Sequence, residues 1–229
     1  DSHFMRSVIS DILEDGGVEV VGQARNGRQA VEVVAEMNPD VVTMDVEMPV
    51  MNGIEAVEAI MAETPTPIVM LSAHTDEKAD VTFEALDAGA VDFFTKPGGE
   101  VSMEMSRLED QLVEMVRSVA EGDRPGVTGA DASDGRAPEP AHAYVDDPVL
   151  VLGSSTGGPK MVERVLSELP READFRVLVV QHMPAGFTER FAARIDARSS
   201  YDVAEATDGE WIAGGQARIA PGDRHLLVA

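Results

Sequence analysis

The chain contains no cysteine. That absence excludes disulfides, thiolate zinc sites and a cysteine nucleophile. Lysine is nearly missing as well: Lys78, Lys96 and Lys160 are the only three in 229 residues, and aromatic residues make up 4% with a single tryptophan, Trp211. No run of about 18 apolar residues exists for a membrane helix, and no charged-then-apolar leader opens the chain, so a soluble intracellular protein is expected. The chain starts at Asp1 and stops inside Leu226-Leu227-Val228-Ala229, which reads as a fragment at both ends. Basic residues are scarce overall, 18 against 42 acids for a net charge of −24.

The deficit of positive charge is uneven. Residues 1–147 hold 31 acids and 9 bases, a balance of −22, whereas the remainder holds 11 acids and 9 bases. Binding to nucleic acid needs a basic face to neutralise phosphates, so the first part is excluded from that role. High acidity with little lysine suits a surface that stays soluble in concentrated salt, where screening weakens self-repulsion. It points to an extreme halophile as the source in preference to an ordinary acidic cytoplasmic protein.

A hydrophobic content of 44% is enough for one or two ordinary cores. Met5, Val8, Ile9 and Ile12 recur at helical spacing ahead of Gly16-Gly17, and the run Val18–Val21 reads as a short strand. Asn26 is placed to cap a helix whose apolar face is Ala30, Val33, Val34 and Met37. Apolar strand runs at 41–44, 68–71 and 91–94 then alternate with helical patterns at 54–61, 76–86 and 102–119, which implies crossovers and a parallel sheet. From 121 to 147 the composition turns to Gly, Pro, Asp and Ala, a linker. A second alternating unit follows from Val149, with strands near 149–152 and 177–180, helices near 160–169 and 187–197, and β-like stretches around Val203 and Ile219.

Two strings carry chemistry. In the first half, Met44-Asp45-Val46-Glu47-Met48-Pro49 puts a carboxylate at the end of an apolar strand. Ligands of open α/β sheets sit beyond strand carboxyl ends, where Asp45, Ser72 and Lys96 all fall, joined by Asp1 if a strand precedes it. Carboxylates there can hold a hard divalent cation, while a hydroxyl and an ammonium can hold phosphoryl oxygens. This constellation resembles the receiver domain of two-component response regulators, over residues 1 to about 120. The resemblance implies a flavodoxin-like α/β fold with its first strand missing, Asp45 as the phosphorylated residue, Asp1 as a member of the acidic pair, and Ser72, Phe93 and Lys96 as switch positions. It also implies Mg²⁺ held by Asp1, Asp45 and the backbone carbonyl of Glu47, and a histidine kinase as partner.

In the second half, Gly153-Ser154-Ser155-Thr156-Gly157 fits G-x-S-x-G directly after a strand, the strand-to-helix setting of an activated serine. A phosphate-cradling loop is the rival reading, but Gly158-Pro159-Lys160-Met161 lacks the Gly-Lys-Ser/Thr ending. The hydroxyl needs a base within hydrogen-bond reach. His182, at the end of the next strand in Gln181-His182-Met183-Pro184, is the first candidate and His225 the second; His3, His74 and His142 read as solvated. These strings, with Ala220-Pro221-Gly222-Asp223-Arg224-His225, resemble the catalytic domain of chemotaxis protein-glutamate methylesterases of the CheB type, a family that also carries a receiver. The resemblance implies an incomplete, doubly wound α/β methylesterase domain over residues 148–229, with Ser155 and His182 catalytic. It implies phosphorylation-regulated hydrolysis of glutamyl methyl esters, and glutamine deamidation, on chemoreceptors in the cytoplasm, without a cofactor for hydrolysis. The family's triad aspartate lies further along than Ala229, so this stretch alone is expected to be nearly inactive; Asp202, Asp208 and Asp223 are the local acids, and none is promoted to the role. An output half that binds a partner without catalysis is the alternative, and a DNA-binding output is disfavoured by charge.

Charge screening acts within about 3 Å at 1 M salt. Thermal melts in low-salt buffer and in molar KCl should therefore show a higher melting temperature in KCl, because the acidic first half repels itself when unscreened.

Overall fold

A computed structural model describes residues 2–73, 79–96, 103–122 and 148–228, and divides the chain into two units, Asp1–Thr128 and Gly129–Ala229. Residues 123–147, most of the expected linker, lie outside the described residues.

In the first unit, helix α1 (His3–Asp15) ends at Gly16, whose N–H donates to the Ile12 carbonyl at 3.0 Å. Gly17 then turns the chain at φ +75°, a conformation open to a residue without Cβ. Helix α2 (Gly27–Met37) starts where the Asn26 side chain accepts the Gln29 N–H at 3.0 Å and stops at left-handed Asn38, ahead of Pro39. Strand β1 (Val42–Asp45) leads to α3 (Gly53–Glu63), which opens with a reciprocal Asn52–Glu55 capping box, both bonds at 2.9 Å. Then follow β2 (Ile68–Ala73), α4 (Ala79–Ala88), β3 (Asp92–Lys96) and α5 (Met103–Glu121).

The sheet is parallel in the order β1-β2-β3. Its central strand is buried on both faces, which is why Ile68, Val69, Met70 and Leu71 read as an unbroken apolar run. Val69 and Leu71 form one core with Phe94, Leu13 of α1, and Leu112, Val116 and Val119 of α5. Each such side chain contributes about 2 kcal/mol when fully buried. Ile68 and Met70 alternate onto the opposite face, and Val57 and Ile60 of α3 and Phe83 and Leu86 of α4 are likewise buried.

One expected strand does not form. Val18–Val21 joins no ladder among the described residues, since β1 pairs with β2 alone. A cavity of about 470 Å³ is lined by both this segment and β1. Apolar alternation makes a strand only where another chain segment supplies hydrogen bonds; Val18 and Val20 pack instead against the α1/α5 core. The other strands reach one or two residues past their apolar runs at the carboxyl ends, so that Asp45, Ser72 and Lys96 belong to the ladders themselves.

The second unit comprises β4 (Val149–Ser154), α6 (Gly158–Glu168), a 3-10 turn (Arg171–Ala173), β5 (Arg176–Gln181), α7 (Phe187–Asp196), β6 (Asp202–Glu205) and β7 (Gln216–Ile219). Its sheet is parallel in the order β4-β5-β7-β6. Val162 and Leu166 of α6 and Phe187, Phe191 and Ile195 of α7 are buried along with Val177, Val179 and Ile219 of the strands. Glu163 fastens the two helices: its carboxylate accepts from Arg194 Nε at 3.0 Å and from Arg198. No helix among the described residues is long and apolar enough to cross a membrane.

The buried Arg218 guanidinium on β7 donates to Glu210 at 3.0 Å and to the Asp202 carbonyl at 3.0 Å. Burial works to raise the Glu210 carboxyl, but the Thr207 N–H and Arg218 outweigh it and hold the group below its ordinary value. A carboxyl lowered by folding contributes stability that is present above its unfolded pKa and lost as pH falls through the folded one. Glu210→Gln should cost about 1 kcal/mol near neutral pH. In urea melts the difference from the parent should close in acid, as both side chains become uncharged.

Candidate functional site

The first constellation stands on the carboxyl edge of the β1-β2-β3 sheet. Asp45 ends β1 opposite Leu71, and Lys96 ends β3 opposite Ala73. Lys96 is therefore two strands from Asp45, and its long stem carries Nζ to 2.6 Å from Asp45 Oδ2, with both side chains about one-fifth exposed. The carboxylate is reachable from solvent yet tied to a cation, which suits a group that must take up further negative charge. The following loop is drawn back over the strand end: Gly53 N–H donates to the Val46 carbonyl at 2.9 Å. A Cβ at Gly53 would lie 2.1 Å from the Asp45 carbonyl oxygen, so glycine is required by close approach. Within this loop Val50 has φ +71° and Met51 N–H donates to the Pro49 carbonyl at 2.8 Å, a tight turn strained at a β-branched residue.

Ser72 and Phe93 both face α4. The Ser72 hydroxyl, almost fully buried, accepts from Thr82 Oγ1 at 2.9 Å. The Phe93 ring meets Phe83 edge-on, with centroids 6.4 Å apart and planes at 75°. Thr82 and Phe83 were not marked by the sequence, because neither belongs to a motif; only the helical pattern around them was visible. Glu47 is exposed beside Asp45, and Asp1 lies outside the described residues. Among the described residues no group of three His, Cys, Asp or Glu side chains could hold a metal. The oxygens on hand, the Asp45 carboxylate and the Glu47 backbone carbonyl, are hard donors of the kind that fit Mg²⁺.

The second constellation stands on the carboxyl edge of the other sheet. Ser154 pairs with Gln181 in the β4–β5 register, so Ser155 and His182 are the next residues on adjacent parallel strands. The His182 N–H donates to the Ser154 carbonyl at 3.0 Å, extending the ladder by one bond. Ser155 opens a tight turn: Gly158 N–H donates to its carbonyl at 2.8 Å, and Gly157 at φ +72° leads into α6. Both side chains are exposed, and no hydrogen bond joins the Ser155 hydroxyl to the His182 ring among the described residues.

Two further loops are built into the same edge. The buried Thr188 hydroxyl, at the start of α7, accepts the Gly222 N–H at 3.0 Å and donates to Glu205 at the end of β6. Gly222 lies so close to Pro184 and Ala185 that a Cβ would stand 2.5 Å from backbone. The segment Pro221–His225 is thereby held against the loop that carries His182, with His225 itself exposed. His3 is exposed at the start of α1, while His74 and His142 lie outside the described residues.

Residues 1–106 match the family model of the response regulator receiver domain, and residues 150–229 match that of CheB methylesterase. Fold and matches define a receiver joined to a methylesterase-type α/β unit. A protein-glutamate methylesterase/protein-glutamine glutaminase of Haloarcula marismortui is 66% identical over 250 residues, covering 100% of this chain and 67% of its own length. Its counterpart in Halobacterium salinarum strain R1 is 54% identical over 230 residues, covering 100% of this chain and 66% of its own. A crystal structure of the response regulator domain of Thermotoga maritima CheB is 46% identical, covers 53% of this chain and 92% of that chain, and superposes with a TM-score of 0.48. The chain belongs to the protein-glutamate methylesterase/protein-glutamine glutaminase family, and spans about two thirds of the length of these curated relatives. The halophile source of the relatives agrees with what the acid-rich, lysine-poor composition implied.

Proposed function

We propose that the protein of which this sequence forms part hydrolyses glutamyl methyl esters, and deamidates glutamines, on chemoreceptors in the cytoplasm, under control of phosphorylation at Asp45. The observation that carries the hydrolytic reading is the β4–β5 register, which makes Ser155 and His182 consecutive continuations of neighbouring parallel strands. In this reading Ser155 Oγ attacks the side-chain carbonyl of the substrate and His182 takes its proton, then returns it to the departing methanol or ammonia. Both reactions pass through a tetrahedral oxyanion, for which backbone N–H groups at the start of α6 would serve as donors.

Control begins at Asp45, which accepts a phosphoryl group from a histidine kinase. Asp1, Asp45 and the Glu47 carbonyl would hold Mg²⁺, which draws charge from the transferred group. Lys96, already paired with Asp45, stays with the new phosphoryl oxygens. Ser72 and Phe93 carry the change to α4 through Thr82 and Phe83.

Incubation with labelled acetyl phosphate in Mg²⁺ buffer should label the protein, and Asp45→Asn should abolish the label. Phosphate retained on the variant would remove Asp45 from the role. In the full-length reading frame, Ser155→Ala and His182→Ala should each remove methanol release from methylated receptor membranes almost entirely. The double variant should lose little more than either single one, since a nucleophile and its base act as a unit. Parent-like turnover in Ser155→Ala would end the nucleophile assignment.

A further inference from the structure

Ser155 and His182 are exposed and unjoined by a hydrogen bond, so their relative placement is set by the backbone that carries them. One side chain ties both pieces of backbone together. Gln181, 5% exposed at the last position of β5, donates from Nε2 to the Ser155 carbonyl at 2.9 Å and to the His182 carbonyl at 3.2 Å. Its Oε1 accepts the Ser154 hydroxyl. Only this orientation of the amide works, because the reverse would aim an oxygen at two carbonyls. The fit is close on the far side as well: a Cβ at Gly158 would stand 2.2 Å from Gln181 Oε1 and 2.8 Å from Ser154 Cβ.

We propose that Gln181 is a positioning residue for hydrolysis, fixing the serine turn and the histidine loop at one mutual distance through its bifurcated amide. The proposal rests on the reading of Ser155 and His182 as nucleophile and base. A buried amide without alternatives is a rigid spacer, since breaking any of its three bonds strands a polar group away from water. The Ser155 carbonyl keeps the Gly158 N–H as a second donor, so losing Gln181 loosens the turn rather than dissolving it. Gly158 acquires a role of its own in this arrangement: it leaves the space that the amide occupies.

The test is steady-state methyl-ester hydrolysis by the full-length protein in molar KCl, well below its melting temperature, with the folded fraction followed by circular dichroism. Gln181→Met keeps the volume and removes every hydrogen bond; Gln181→Glu keeps the shape and replaces the donor by an acceptor. Each should lower kcat by roughly 10- to 100-fold, the scale of an ångström-sized misplacement of reacting groups. KM should stay within about twofold, because Gln181 touches no substrate. Gly158→Ala, which pushes a methyl into the amide, should produce the same split. Gln181→Met combined with Gly158→Ala should cost no more than the worse single change, as expected for two changes acting through one contact. Near-parent kcat in the Gln181 variants, a loss confined to KM, or a loss that only follows the folded fraction would each overturn the proposal. Should Gln181→Met fail to fold, Gln181→Glu and Gly158→Ala decide by the same criteria. Ser155→Ala separates the two levels: activity in that variant ends the underlying reading, whereas an inactive Ser155→Ala beside a fully active Gln181→Met ends only the positioning role.

Discussion

Parallel pairing of strands is the constraint from which both candidate sites follow. In a parallel ladder every strand points the same way, so all carboxyl ends open onto one edge, and the returns are made by helices except between β6 and β7, where residues 206–215 form a loop. In the first unit that geometry brings Lys96, 51 residues after Asp45 in sequence, to within an ion pair of it across the end of β2. In the second it makes Ser155 and His182 neighbours across a single ladder spacing. Antiparallel pairing of β4 with β5 would send the two residues to opposite edges. The burial of both faces of β2 makes the first arrangement rigid, because Val69 and Leu71 are locked into the α1/α5 core while Ile68 and Met70 fill the other side.

Charge is used differently in the two units. The first carries most of the acid excess, which is tolerable where salt screens over a few ångströms. One of only three lysines in the chain is held at Asp45. The stretch 148–229, close to neutral, builds its arginines into the fold. Arg194 and Arg198 share Glu163 between α6 and α7, Arg218 joins β7 to Glu210 and Asp202, and Arg171 lies over the Tyr201 ring at 5.6 Å. Among the described residues, every buried side-chain nitrogen and oxygen has a partner. These pairs include at least one side chain mostly withheld from solvent, so high salt weakens them less than it weakens exposed repulsion.

Helix α4 is contacted by two strands at once. Ser72 on β2 reaches Thr82 through hydroxyls, and Phe93 on β3 reaches Phe83 through ring edges. One contact is directional and polar, the other broad and apolar, and they land on consecutive residues. A shift of either strand end would thus be felt by the same turn of helix. In the second unit Thr188 has a comparable place at the head of α7, bonding both Glu205 and Gly222 and so fixing two loops beside the one that carries His182.

Most of the strands and helices were legible in the sequence, as were the strand ends at which the candidate residues stand. Apolar runs of strand length, Asn caps, and polar residues at the ends of those runs are local signals that survive without tertiary context. Asp45, Lys96, Ser155 and His182 all fell at such ends. The strand expected at Val18–Val21 was not decided locally: its alternation is real, but a ladder needs a second backbone, and among the described residues β1 pairs with β2 alone. The contacts of Thr82, Phe83 and Gln181 were out of reach, because a hydrogen bond or ring contact between residues far apart in the chain leaves no period, and Gln181 entered only as a neighbour of His182 in a motif. Gln181 could be seen as a polar residue closing a buried strand, yet its meaning comes from three partners on two other segments. Sequence determined which segments could become strands and helices, since that depends on neighbours along the chain. Only the tertiary structure decided which side chains meet, since that depends on register and close packing across it.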